Sequence, residues 1–401
     1  MKKRLFPLVL ALVLALMTLP VLAEEVTINV YNWGQYISDG SDDCTDIIAA
    51  FEEAYPDIHV NYTTFDSNET LYSKLKTGGV SYDVIVPSDY MVARLIDEGY
   101  LLELDYDNIP NFEAYVDESC KNPSYDPENK YSVPYTTGTV GIIYNTKYVD
   151  EADVTGWEVL WNAKYAGKIL MFDNPRDAFA IGQKELGYSL NSTDSGELQD
   201  VCNLLLAQKP LVQGYVMDQI YDQMINEEAW IAPYYAGDFV QMSWENEDLA
   251  FYHPVDDGFN FFLDALCVPA CCEHKKEAEI FINFLTDPEI SAANMEWVGY
   301  GSPCSAAKDY LDEETAENEV IYPSEETLAS GEMFLYLPVE ANQQMDQLWL
   351  SVKTSSDNTR MYLTIGAVLV VAVAALTIFF KIRRRRRIAR RGTAPRTPPA
   401  Q

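Results

Sequence analysis

The stretch VYNWGQYI, Val30 to Ile37, packs a Trp, a Gln and two Tyr into the six positions from Tyr31 to Tyr36, just where an alternating run ends. A second polar and aromatic group, Ser88-Asp89-Tyr90, follows DVIVP. Ring faces accept methylenes and cations, a cation–π contact contributing ~0.5–2 kcal/mol, and a neighbouring carboxylate adds a charge-assisted hydrogen bond. These residue types suit retention of an alkylammonium group. The alternative is that Trp33 and Tyr36 only seal the end of a core, a common fate of large rings. Metal or thiol chemistry has no comparable pattern: the seven Cys and three His are scattered, without ligand spacing.

The elements that must position these groups follow from periodicity. Val26, Ile28 and Val30 alternate as in a strand. TINVYNW, TDIIAAFEEAYPD, HVNYTTF, ETLYSKLKTGG, YDVIVPS and MVARLIDEGYLLEL then read β, α, β, α, β, α. Asp46 and Ser67-Asn68 offer helix caps, and Gly78-Gly79 a stop. This order predicts an α/β architecture with a mostly parallel sheet, whose ligands sit beyond the carboxyl ends of the strands. Trp33–Tyr36 and Ser88–Tyr90 both lie at such ends and face one crevice. Downstream, YSVPYTTGTVGIIYN carries Gly138 and Gly141 among β-formers, as expected of a strand crossing between lobes. GWEVLWNAKYAG, KILMFDNPRDAFAIGQKELGYS and WIAPYYAGDFV form a second helix and strand series, and GFNFFLDALCVP reads as a strand leading back.

The ends of the chain have their own signatures. Residues 1–23 combine a basic start, an apolar run and a small final residue, the pattern of a secretory signal peptide. Residues 361–380 are free of charge and long enough to cross a bilayer as a helix. The arginine-rich tail 381–401 after them predicts a cytoplasmic end and an extracytoplasmic bulk, a single-pass protein of the cell membrane. Between residues 24 and 360, 16 Lys and Arg face 62 Asp and Glu, a net charge of −46. Such a surface repels nucleic acid and acidic substrates and attracts cations.

Eight segments carry a resemblance: YNWGQY, SNETLYSKLKTGGVSYDVIVPSDYMV, YSVPYTTGTVGIIYN, GWEVLWNAKYAGKI, FDNPRDAF, FFLDALCVP, INFLTDPE and YPSEET. In this order, over nearly all of residues 27–330, the chain closely resembles the spermidine/putrescine-binding proteins of ABC importers. The resemblance implies a two-lobed periplasmic-binding-protein fold of type II, with a hinge of two crossovers that closes on a polyamine. Lobe one is expected over 24–137 and 264–311, lobe two over 138–263 and 312–360. One wall of the cleft is then Trp33, Gln35, Tyr36, Ser88 and Tyr90, and the other Asn174, Asp177, Tyr234, Phe262 and Asp264. Departures accompany the match. Gln35 stands where a carboxylate is usual, Asn174 where Asp is usual, and Tyr234 and Phe262 where Trp is common. Phe334 falls where Gln is usual and stays outside the expected site.

The chemistry of a polyamine, methylenes between cationic amines, suits this set. Asp177 and Asp264, with Asp89 and Asp238 from neighbouring positions, supply charge, while the rings of Trp33, Tyr36, Tyr90, Tyr234 and Phe262 supply faces. Strand alternation places Phe262 and Asp264 on one side. The expected partners are putrescine or spermidine, ABC permease subunits and the membrane, for a monomer without cofactor, metal or nucleic acid. Competing readings are a receptor, a binding protein for another small solute, and a cell-surface glycosidase using Asp177 and Asp264 as paired carboxylates.

Overall fold

Ile28, Val30 and Tyr31 of the first strand, β1 (Val26–Trp33), are buried, and Tyr31 stacks on Tyr82 with ring centroids 4.4 Å apart. The computed structural model describes residues 25–41 and 44–355. The expected signal peptide, the apolar span 361–380 and the basic tail lie outside these residues. Among the described residues no helix is long and apolar enough to cross a membrane. The elements named below belong to a compact unit that ends at Trp349; Leu350 begins a second.

The first half of the chain alternates as its periodicity predicts. β1 is followed by α1 (Ile47–Ala54), β2 (Ile58–Phe65), α2 (Asn68–Thr77), β3 (Val84–Ile85) and α3 (Asp89–Asp97), with β2 and β3 parallel to β1. The caps act locally. Asp46 accepts from the Ala49 amide at 2.9 Å, Ser67 accepts from the Thr70 amide at 3.2 Å, and Gly78 ends α2 at φ 71°. After α4 (Pro110–Tyr115) comes the long strand β4 (Ser132–Asn145), which changes partners along its length. Ser132 to Thr139 pair antiparallel with β9 (Phe259–Cys267), and Val140 to Tyr144 with β7 (Ile231–Tyr235).

Gly138 and Gly141 flank this change, and both are places of close approach. A Cβ on Gly138 would meet Phe262 Cζ at 2.3 Å, and one on Gly141 would meet Phe251 Cζ at 2.4 Å.

The second half adds β5 (Ile169–Phe172), α5 (Pro175–Glu185), α6 (Ser195–Gln208), β6 (Val212–Val216), α7 (Ile220–Ile225), β7, α8 (Ala236–Glu245) and β8 (Leu249–Tyr252). GWEVLWNAKYAG forms two tight 3-10 turns, Trp157–Trp161 and Ala163–Tyr165, because Asn162 leaves the first turn to cap the second through the Lys164 amide. Helices α9 (Lys275–Leu285) and α10 (Pro288–Val298) follow β9. Among the described residues the sheet has ten strands in the order β2-β1-β3-β9-β4-β7-β5-β6, with β8 on β4 and β10 (Gly331–Glu332) on β9. Strands β4 and β9 therefore stand between a β2-β1-β3 half and a β7-β5-β6 half.

Candidate functional site

Because β5 runs parallel to both β6 and β7, the carboxyl ends of the strands in each half present their following residues in common. A cavity lies there. Its lining includes the residues that follow β1 (Gly34, Tyr36), β2 (Asp66 to Glu69), β3 (Ser88 to Tyr90), β5 (Asn174, Asp177), β6 (Met217, Asp218) and β7 (Asp238). β9 contributes Asn260, Phe262 and Asp264 from its own length.

The deepest carboxylates are incompletely bonded. Asp264, 4 % exposed, accepts at Oδ2 from the Tyr36 hydroxyl at 2.8 Å, and Thr136 is bonded to that hydroxyl from behind. Its Oδ1 has no protein partner. Burial pushes the Asp264 carboxyl up to about 6, against the opposing pull of the Tyr36 hydrogen bond. Asp89, fully buried, accepts at Oδ1 from the Tyr90 amide at 2.6 Å and leaves Oδ2 without a partner. Its pKa is driven well above the ordinary value by burial and then, among charges, by Asp264. The local sequence explains this exposure to the cavity. Asp89 opens α3, whose capping residue Ser88 makes no side-chain cap bond, so both side chains are available to the cavity.

Asp177 is held from two sides. Its amide is capped by Asn174 at 2.8 Å, and its Oδ2 accepts from Asn174 at 2.6 Å and from the Tyr235 hydroxyl at 2.8 Å. The pairing with Arg176 that neighbouring positions invite does not form. The Arg176 guanidinium turns away to Asn191 at 2.8 Å and to the Leu335 carbonyl at 3.2 Å, lying 4.3 Å from the centre of the Phe334 ring. Asp238 is the most satisfied of the group, bonded to Tyr300 at Oδ2 and to Tyr221 at Oδ1, and burial raises it to about 6.

Rings fill the space between these charges. Tyr234 stacks on Phe172 at 5.2 Å, Phe262 meets Tyr235 edge-on at 5.8 Å, and Tyr36 meets Tyr300 at 5.2 Å. Phe262 is buried yet lines the cavity, so one ring serves both core and wall. Trp33 does the same, packing 4.6 Å from Phe65 while facing the cavity.

Eleven of the residues expected from sequence line this cavity: Trp33, Tyr36, Ser88, Asp89, Tyr90, Asn174, Asp177, Tyr234, Asp238, Phe262 and Asp264. Gln35 does not. It is exposed in the tight turn after β1 at φ 52°, which swings its side chain off the wall, while its carbonyl accepts from Gln241 at 3.3 Å. The expectation also missed lining residues. Tyr235 adjoins a residue expected from sequence, and Asp66, Asn68 and Glu69 follow β2 just as Tyr36 follows β1, so the strand-end rule points to them as well. Tyr300 and Phe334 arrive through long-range packing and leave no local signal. Phe334 had been set aside, yet it faces the cavity and meets Tyr90 edge-on at 5.8 Å.

Comparison with known proteins bears on this site. The pattern of the bacterial extracellular solute-binding proteins matches residues 46–324. The spermidine/putrescine-binding periplasmic protein of Escherichia coli is 33 % identical over 310 residues, covering 77 % of this chain and 86 % of its own. A chain from Listeria monocytogenes assigned to spermidine/putrescine ABC transport superposes with a TM-score of 0.77 at 35 % identity, over 82 % of this chain and 99 % of its own. The spermidine/putrescine substrate-binding protein of Streptococcus pneumoniae gives a TM-score of 0.70 at 36 % identity, over 82 % and 98 %.

Proposed function

The chain belongs to the bacterial extracellular solute-binding proteins, in the group that resembles the spermidine/putrescine-binding proteins of ABC transporters, and from that premise we propose that it captures a polyamine in this cavity and hands it to an ABC importer. The observation that carries the reading is a pair of buried carboxylates that line the cavity, Asp89 and Asp264, each with an oxygen that has no protein partner. An unpaired buried charge costs several kcal/mol. An ammonium group brought to these oxygens offsets that cost and gains charge-assisted hydrogen bonds of about 1.5–3 kcal/mol each. The rings of Tyr36, Tyr90, Tyr234, Phe262 and Trp33 would cover the methylenes between amines. Asn174 orients the neighbouring Asp177, Ser88 lines the wall beside Asp89, and Asp177 and Asp238 add charge.

The same reading treats β4 and β9 as the two crossovers of a type II hinge, with lobes 24–137 plus 264–311 and 138–263 plus 312–360 closing on the ligand. It also retains the sequence-based tether: the apolar span 361–380 anchors the protein and the basic tail lies inside. A monomer docked on permease subunits completes the scheme. Binding is tested by melting the purified protein with and without putrescine and spermidine. Stabilisation follows RT ln(1 + [L]/Kd), about 2.7 kcal/mol at a hundredfold excess over Kd. A melting shift no larger than that given by matched NaCl would refute the reading. Protease added to intact cells tests the tether: a C-terminal tag should survive while the bulk is digested.

A further inference from the structure

Buried peptide groups need partners, and those that flank Phe334 lie just beyond the end of a strand. β10 runs parallel to β9 for two residues only, Gly331 beside Phe259 and Glu332 beside Asn260. Asn191, in the loop between α5 and α6, takes over from there. Its Nδ2 donates to the Met333 carbonyl at 2.9 Å, and its Oδ1 accepts from the Leu335 amide at 2.7 Å. In a parallel ladder one facing residue bonds to the carbonyl before and to the amide after the residue it pairs with. The Asn191 carboxamide makes that same pair of bonds around Phe334, so a side chain stands in for the peptide group of a further strand.

The same side chain organises what surrounds the ring. Asn191 Nδ2 also reaches Glu332 Oε1 at 3.1 Å, and its Oδ1 accepts a second bond from Arg176 Nη2 at 2.8 Å, the nitrogen that donates to the Leu335 carbonyl at 3.2 Å. Arg176 is buried, its Nε and Nη1 have no protein partner, and among the described residues it joins no ion pair. A guanidinium so sparsely bonded is costly to bury. Its compensation is the face of Phe334, whose ring centre lies 4.3 Å away. The ring is thus boxed in by Arg176 on its face, by Ala180 and Leu190 at its side and by Tyr90, which it meets edge-on at 5.8 Å.

We propose that Asn191 is a positioning residue for the cavity: through Arg176 and the two peptide groups around residue 334 it fixes the Phe334 ring against Tyr90 before any ligand arrives. A wall fixed in advance spares the ligand the ordering cost of assembling it, so affinity depends on a residue that does not line the cavity. The placement is independent of what the cavity binds; only the choice of spermidine as the probe rests on the polyamine reading above.

Titration calorimetry of the full chain with spermidine tests this as a double-mutant cycle, in the unaltered protein, Asn191→Ala, Phe334→Ala and the double variant. Asn191→Ala should weaken binding about three- to tenfold, and by less than about twofold once residue 334 is already Ala. A role in the fold alone would carry the same loss into the Phe334→Ala background; that result, or full affinity in Asn191→Ala, would overturn the proposal. Hydrogen exchange of the ligand-free chain gives a second reading that needs no polyamine. In Asn191→Ala the amides of residues 333–335 should lose protection while those of β1 keep theirs. Unchanged exchange at 333–335, or an equal loss in β1, would also overturn it. If the unaltered protein binds no spermidine, the functional reading falls, and the exchange measurement still decides whether Asn191 holds Phe334 in place.

Discussion

Two pairs of buried aspartates in this molecule are alike in burial and opposite in bonding. Asp83 and Asp126 are as inaccessible as Asp89 and Asp264. Asp83 accepts from the amides of Asn29, Glu273 and His274 at 2.8, 3.0 and 2.9 Å, tying β1 to the start of α9. Asp126 accepts from the amides of Lys130, Tyr131 and Ser132 at 2.9, 2.8 and 3.0 Å and from the Ser132 hydroxyl, fixing the entry to β4. Those two are saturated by donors that cannot leave, so their charge is spent on the fold. Asp89 and Asp264 line the cavity and each retain an oxygen without a protein partner, so their charge is not spent on the fold in the same way.

The comparison breaks most visibly at the saturated pair. Asp83→Ala leaves three amides without their acceptor, and at about 1–3 kcal/mol for each unsatisfied group a loss of roughly 3–5 kcal/mol in stability is expected. A lower urea midpoint at unchanged slope measures it. Asp264→Asn should do the opposite. The amide keeps the acceptor for Tyr36, so the free protein melts no lower, while polyamine affinity falls about 10- to 100-fold with the loss of a charge-assisted bond. A polyamine affinity in Asp264→Asn equal to that of the unaltered protein would move the anchor to Asp177 or Asp89.

Protonation sharpens the same contrast with a smaller effect. Asp264 and Asp238 are raised from 3.8 to about 6, so the folded chain holds protons that the unfolded chain has released between those values. Their contribution to the free protein is therefore favourable at low pH and is lost as pH rises through about 6. A bound ammonium favours the ionised forms, so binding must expel those protons. Affinity should fall about tenfold from pH 7 to pH 5 for each proton taken up on release, and the ligand-induced melting shift should shrink in step. Calorimetry in buffers of different ionisation enthalpy would count the protons; a zero count at pH 6 would contradict the linkage.

The smallest effect is expected at the rings. Phe262→Leu keeps apolar area near Gly138 and removes only the attraction of the ring for a cation, so a loss of roughly two- to fivefold is expected, from a contact of ~0.5–1 kcal/mol. A loss as large as that in Asp264→Asn would mean that the ring's fit over Gly138 matters more than its charge distribution.

What the sequence disclosed follows from how local each signal is. Trp33, Ser88, Asp89 and Tyr90 were legible because a parallel strand announces its own carboxyl end. The alternation of FFLD showed that Phe262 and Asp264 share a face, which the cavity lining bears out. No residue pattern separates Asp83 from Asp89, six positions later: which of them finds three amides is decided by α9, nearly two hundred residues away. Asp218 leaves no local signal for the same reason: it and Asp66 come to the cavity lining from opposite ends of the sheet order. Gln35 stands off the lining because of its positive φ, which is not written in YNWGQY as a glycine would write it.

The fastening of Phe334 has a consequence for how the protein is made. Its ring reaches the cavity because β10 joins β9 and because Glu332 is gripped by Lys184 at 2.6 Å and by the Leu190 amide at 3.0 Å, with Arg176 holding the Leu335 carbonyl. All of these partners precede it in the chain, and Arg176, Lys184 and Leu190 do so by more than a hundred residues. During synthesis the amino-terminal strands emerge first and can pair early, yet the wall beside Tyr90 stays open until residues 331–337 have followed. Completion of the cleft thus falls late in chain growth, and a chain cut short before these residues would carry a sheet with one side of its cavity missing.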